Sequence, residues 1–260
     1  MGEDLRKYFG DVDEEVQRLL DEYDEGIVVS FIGYALMVLT PFLVMINLEI
    51  IPSSAPVLAS VASSVGTVVL DKLTGNRFKK TIEFMRLVCE KTSAFEDQVI
   101  DEIRNKIGRE EAEIVIVRIL RSISEKERRE KWEFFRNLLL NYLTSGEDEI
   151  DRVEIYLNQL DSLSYLEMLL LAFLYRNCNE NGHMNDAIVE KTKKFKASQE
   201  LSNKDLNLAY NELHNNSYFL TGAFNTQLKN DFASLTGGIC LSEKALEFSE
   251  FVATTKIVDE

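Results

Sequence analysis

The sequence predicts a mainly α-helical protein with an N-terminal hydrophobic helical hairpin, a central helical region and a C-terminal α+β module. Three observations predict it. Between Ile27 and Leu70 a single formal charge, Glu49, interrupts two charge-free runs, and no Lys or Arg occurs between Arg18 and Lys72. From Phe78 to Tyr175 apolar residues recur at the three- and four-residue spacing of buried helix faces. After Asn215 that spacing gives way to two short apolar runs, Ser217–Thr221 and Gly238–Ser242, separated by a loop. The chain accordingly divides into residues 1–26, 27–70, 71–150 and 151–260.

Residues 1–26 read as acidic amphipathic helix. Asp11 with Glu14 forms a capping-box pattern, and Val12, Val16, Leu19, Leu20 and Tyr23 fall on one face opposite a run of acids. The first charge-free run, Ile27–Leu48, would make a helix of about 33 Å, enough to cross a bilayer core of about 30 Å. The second, Ile50–Leu70, is richer in Ser and Pro, with small residues at four-residue spacing (Ala55, Ala59, Ser63 and Ala62, Gly66) that let helices approach closely. The expectation is a membrane hairpin turning near Glu49–Ser54, with Leu36, Phe42, Leu58 and Gly66 in the bilayer. Lys72, Arg77, Lys79 and Lys80 then put both ends on the cytoplasmic side. This predicts a protein of the cytoplasmic membrane with a cytoplasmic body. The alternative is a cytoplasmic protein with the same hairpin buried at its centre, since a helix apolar all round also suits a core.

In the central region Phe78, Ile82, Met85 and Cys89, then Phe95, Val99, Ile103 and Ile107, mark helix faces up to Gly108. Glu110–Ile123 follows as a helix, its IVIV cluster flanked by charged helix formers. Ser124 with Glu127 predicts a capped helix over Glu125–Thr144, with Trp132, Phe135, Leu138, Leu139 and Tyr142 inward and Ser145-Gly146 as its stop. Beyond Asp151 come a helix through Leu160, a short buried helix Tyr165–Tyr175, a polar loop, helix Ala187–Gln199, a helix Asn203–Asn215 boxed by Ser202 and Asp205, the two strand-type runs, and a closing helix Glu243–Phe251.

That order resembles a winged helix-turn-helix, and GICLSEKALEFSEFV, residues 238–252, is similar to the closing strand and helix of such domains. The resemblance implies a winged-helix-like α+β module over residues 151–260. A second likeness covers about 50 residues. SEKERREKWEFFRNLLLNYLTSGEDEIDRVEIYLNQLDSLSYLEMLLLAFL, residues 124–174, resembles a segment of bacterial abortive-infection proteins of the alpha type, with a basic helix, an acidic break and a following apolar helix. It implies a phage-defence setting and no chemistry.

No catalytic, cofactor-binding or metal site is assigned. The two histidines, His183 and His214, exclude a His-rich cluster. Cys178, His183 and Asp186 share a loop, yet zinc sites usually offer closer cysteine pairs. Cys89, Cys178 and Cys240 are widely spaced and odd in number, which fits a reducing compartment better than a disulfide framework. The formal net charge of −15 disfavours nucleic acid. The residues a DNA-binding reading would use are Lys191, Lys193, Lys194 and Lys196 with the amide row Asn203, Asn207 and Asn211, but phosphate anchors are few. The sequence therefore predicts a non-enzymatic, membrane-associated interaction or adaptor protein, with a protein partner or self-association. The alternative is a winged-helix transcriptional regulator.

Overall fold

A computed structural model describes residues 16–44, 68–125, 128–145, 150–220, 236 and 238–253. The chain divides into two compact units, Met1–Leu157 and Asn158–Glu260.

In the first unit, residues 16–22 are helical and lead into α1 (Glu25–Val44); α2 (Val68–Thr92), α3 (Asp97–Ile107) and α4 (Glu110–Glu125) follow. A single 3-10 turn, Arg129–Lys131, opens α5 (Trp132–Thr144), and α6 (Ile150–Ser162) runs across the division between units. Helix α1 packs against α2, α3 and α4, and α5 packs against the same three. The predicted faces are largely those that turn inward: Phe78, Ile82, Met85 and Cys89 on α2, Ile103 and Ile107 on α3, and Trp132, Phe135, Leu138, Leu139 and Tyr142 on α5 are buried. Helix α5 goes further, because Phe134, Asn137, Leu140, Asn141 and Leu143 are buried as well.

The membrane hairpin is corrected by the structure. Among the described residues no helix is long and apolar enough to cross a membrane. Ile27, Val28, Phe31, Tyr34, Ala35 and Val38 of α1 are instead buried among the other helices. Polar ties to those helices make the same point. The Tyr34 hydroxyl donates to the Ile107 carbonyl at 2.6 Å, and Asp24, which accepts from the Ile27 amide at 3.0 Å as N-cap, also accepts from Arg104 Nε at 3.0 Å. An all-round apolar helix satisfies a protein core as well as a lipid one, and run length alone does not distinguish them. Leu36 and Phe42 lie on α1, but their side chains, like Leu58, Gly66 and the turn at Glu49–Ser54, lie outside the described residues. Ser124 is also corrected. It sits inside α4 and donates to the Arg121 carbonyl at 3.0 Å, so α4 continues to Glu125 and α5 begins at Trp132.

The second unit contains α7 (Tyr165–Tyr175), α8 (Ile188–Ser198), α9 (Asn203–Asn215) and α10 (Glu243–Val252), with α7 packed against α9 and α10. The expected cap at Ser202 is formed, and a second one that the sequence pattern did not single out is present at Ser164. Ser164 and Glu167 box the start of α7, and Ser202 and Asp205 that of α9. Leu170, Leu213 and Phe248 are fully buried, while Phe173 is half-buried and stacks on Phe195 at 4.3 Å.

The winged-helix α+β module is overturned. Among the described residues there is no β-strand, only the isolated bridges Cys178↔Met184, His183↔Cys240 and Phe219↔Leu241. The two short runs do meet: the Leu220 amide donates to the Cys240 carbonyl at 2.8 Å and the Ser242 amide to the Tyr218 carbonyl at 3.0 Å. Pairing stops there for a physical reason. Ser217 takes φ +64°, which breaks extended backbone at the start of the first run. What looked like strand periodicity is core burial of Tyr218, Phe219, Ile239 and Leu241.

Candidate acidic cleft

Helix α10 places Glu243, Leu246, Glu247 and Glu250 at helical spacing on one face. Facing them are Tyr175 at the end of α7 and Cys178, Asn179 and Glu180 in the loop that follows; together these residues line a cleft of about 540 Å³. One tie brings the walls together. Arg176 donates to the Ala253 carbonyl at 2.9 Å, linking the end of α7 to the end of α10.

The loop wall is shaped by a tight turn. The amides of Asn181 and His183 both donate to Asn179 Oδ1 at 3.0 Å, and the Asn179 amide donates to the His183 carbonyl at 2.9 Å. Gly182 closes the turn at φ +78°, and a Cβ there would lie 2.5 Å from the Leu241 carbonyl oxygen. Only glycine combines that backbone with that approach. The Leu241 amide donates to the Gly182 carbonyl at 2.9 Å, so the turn is fastened two residues before Glu243 and its helix begin to be capped by Ser242.

The cleft is acidic in chemistry. Four carboxylates line it, with the Tyr175 ring and Leu246 as apolar surface. Burial, then the charge of Glu250, raises the Tyr175 hydroxyl pKa. Burial is also the main cause that raises the Cys178 thiol, whose hydrogen goes to the Tyr175 carbonyl at 3.1 Å. Thiolate character is thereby disfavoured, so Cys178 is a poor nucleophile. Among the described residues no group of three or more His, Cys, Asp or Glu side chains is placed to hold a metal ion.

The residues a nucleic-acid reading would use lie elsewhere. Lys191, Lys193 and Lys194 are exposed on α8 and Lys196 is half-buried. Two of the four are engaged by amides: Lys191 Nζ donates to Asn177 Oδ1 at 2.8 Å and Lys196 Nζ to Asn203 Oδ1 at 2.9 Å. Lys196 and Asn203 are therefore brought together, but on each other. Asn207 and Asn211 remain along α9, half-buried and exposed. His214 lies in the last turn of α9 with its ring 6.0 Å from that of Tyr210.

The cleft escaped the sequence reading, although its signals were present. Glu243, Glu247 and Glu250 stand at i, i+4 and i+7, which marks one acidic helix face. Asn181-Gly182 is a strong turn dipeptide that announces a folded-back loop within what reads as polar connection. Comparison with known proteins finds no matching family model, no similar curated protein and no similar solved structure.

Proposed function

We propose that this chain is a non-enzymatic interaction protein, an adaptor whose C-terminal unit receives a Lys- or Arg-bearing segment of a protein partner. The cleft lined by Glu180, Glu243, Glu247 and Glu250 carries the reading. Its size suits one or two long side chains, within the range of about 300–1,000 Å³ typical of binding pockets. Lysine and arginine stems can lie on Tyr175 and Leu246 while their charged heads meet the carboxylates. The engagement of Lys191 and Lys196 by neighbouring amides supports protein over nucleic acid as the partner. The resemblance of residues 124–174 to abortive-infection proteins suggests the setting, in which such an adaptor would serve as sensor or effector in phage defence.

The test is binding of a fluorescent Lys/Arg-rich peptide to the full chain. A chain with net charge −15 attracts any basic peptide over long range, so location must be read from variants. Glu243→Gln with Glu247→Gln should weaken binding at least about tenfold, the step of a few partly screened ion pairs. Glu190→Gln with Glu200→Gln removes the same charge from exposed positions outside the cleft and should change it little. Equal losses from both pairs would sink the assignment of the cleft.

A further inference from the structure

Behind the turn at Gly182 a second arrangement is independent of the cleft reading. His183 and Cys240 face each other across an isolated antiparallel bridge, with Cys240 Sγ 3.9 Å from His183 Nε2. Alternation along extended backbone separates this pair from Cys178, which bridges the neighbouring Met184 and lines the cleft instead. Both partners come from backbone that is already fastened. His183 is held by the Asn179 turn, and Cys240 by the bond from the Leu220 amide to its carbonyl at 2.8 Å. The histidine is exposed and the thiol half-exposed, so an ion in solution can reach them.

We propose that Cys240 and His183 form a two-residue chelate for a zinc-class divalent ion, with water completing the coordination. The geometry supports it. Zinc bonds of about 2.3 Å to sulfur and about 2.05 Å to nitrogen put the two donors about 3.5 Å apart at a tetrahedral angle. At the observed 3.9 Å, with those same bond lengths, the S–metal–N angle opens to about 127°, which a small rotation of either side chain closes. The ring nitrogen nearest the sulfur is Nε2, which offers a lone pair when Nδ1 carries the proton. The thiol loses its proton to solvent as the sulfur–metal bond forms, so uptake releases one proton per ion and strengthens as pH rises. Thiolate and imidazole together select zinc-class ions over magnesium or calcium, which prefer oxygen.

Cobalt(II) added to the full reduced chain reads this directly, because a thiolate ligand gives an intense sulfur-to-cobalt charge-transfer band. The expected result is such a band saturating at one cobalt per chain, displaced by zinc, and unchanged in Cys178→Ser. Cys240→Ser should lose the band, and His183→Gln should bind at least about tenfold more weakly, since even residues that only support a ligand cost 10–100-fold when removed. If Cys240→Ser does not fold, alkylation of Cys240 in the folded Cys178→Ser chain removes the same ligand. The proposal is overturned by absence of the band in the unsubstituted chain with cobalt in about hundredfold excess, by a band that survives loss of Cys240, or by one that depends on Cys178. Basic-peptide binding plays no part in these outcomes, so the cleft and the chelate stand or fall separately.

Discussion

The two units use their charged side chains in different ways. In the first, opposite charges meet across helices: Asp24 with Arg104, Arg118 with Glu154 at 3.3 Å, and Arg129 with Glu83 at 3.2 Å. Even its buried Lys106 is absorbed into the core, donating to the carbonyl and hydroxyl oxygens of Ser145 at 2.8 and 3.0 Å with the Tyr142 ring 4.2 Å away. In the second unit three lysines turn to neutral groups. Lys191 and Lys196 go to asparagine side chains, and Lys244 donates to the Asn216 carbonyl at 2.9 Å with Tyr218 under it. Its glutamates converge on a cleft. The difference teaches where each unit directs its electrostatics. The first uses opposite charges to fix helix against helix, whereas the second ties three of its lysines to neutral neighbours and gathers negative charge at a concave surface.

Core substitutions test that division most severely, because the chain carries a single tryptophan, Trp132, and it lies in the first unit. Phe135→Ala, at a fully buried position on α5, should cost about 3–5 kcal/mol. Denaturant unfolding followed by Trp132 fluorescence should show it, with basic-peptide binding intact under native conditions. Gly182→Ala addresses the second unit. A left-handed backbone costs a residue with a Cβ about 1–2 kcal/mol, and the approach to Leu241 adds a backbone shift. It should weaken peptide binding and move the circular dichroism transition of the second unit, leaving the Trp132 transition in place. A Trp132 transition that moves by the same amount would show the two units unfolding as one, and the comparison would fail.

Much of the helical framework is legible in the sequence because helix faces and caps are local. The box of Ser202 with Asp205 needs only residues three apart, and the inward faces of α2 and α5 need only the 3.6-residue period. Ser124 shows the limit, since the serine that reads as the start of a helix lies one residue before the end of α4 and bonds back to the Arg121 carbonyl. For α1 the missing information is tertiary. Its apolar residues state that it must be covered, and only the packing of α2, α3 and α4 states by what. The runs at Tyr218 and Ile239 mislead for a related reason, because four apolar residues satisfy a core without forming a ladder. The cleft is a meeting of residues some 70 positions apart in sequence, Glu180 with Glu250, which no local pattern announces.

A smaller effect probes how the first unit uses its charges. Asp24 caps α1 and pairs with Arg104, and the hydrogen bond from that guanidinium, more than any other cause, holds its carboxyl pKa below the ordinary value. Stability from a carboxylate lowered in this way is complete above the unfolded value of about 3.9. It is lost as pH falls through the lower folded value. Asp24→Asn keeps a capping oxygen and removes the charge, so it should lower stability above about pH 3.9 and leave the acid end unchanged, which flattens this limb of a stability-against-pH curve. Asp24→Ala removes the cap too and should cost about 1 kcal/mol more at neutral pH. Identical curves for the two variants would mean that the cap contributes nothing.

The smallest effect reads the potential of the cleft through its own thiol. Cys178 lines the cleft, whereas Cys240 belongs to the His183 bridge, and Cys89 is buried with its thiol pushed up to about 12. In the native chain Cys89 should therefore stay silent towards thiol reagents, and Cys240→Ser and Cys178→Ser should isolate the other two. A cationic methanethiosulfonate is drawn towards the four carboxylates and an anionic one is repelled, so their rate ratio should be several-fold larger at Cys178 than at Cys240. The excess should shrink with added salt, as the screening length falls from about 10 Å at 0.1 M to about 3 Å at 1 M. Absolute rates at Cys178 should be slow, because its burial disfavours the thiolate, but that penalty applies to both reagents and cancels in the ratio. Glu243→Gln with Glu247→Gln should bring the Cys178 ratio down towards that of Cys240. Equal ratios at the two thiols in the unsubstituted chain would show that the glutamates produce no local field, and the contrast between the units would then rest on packing alone.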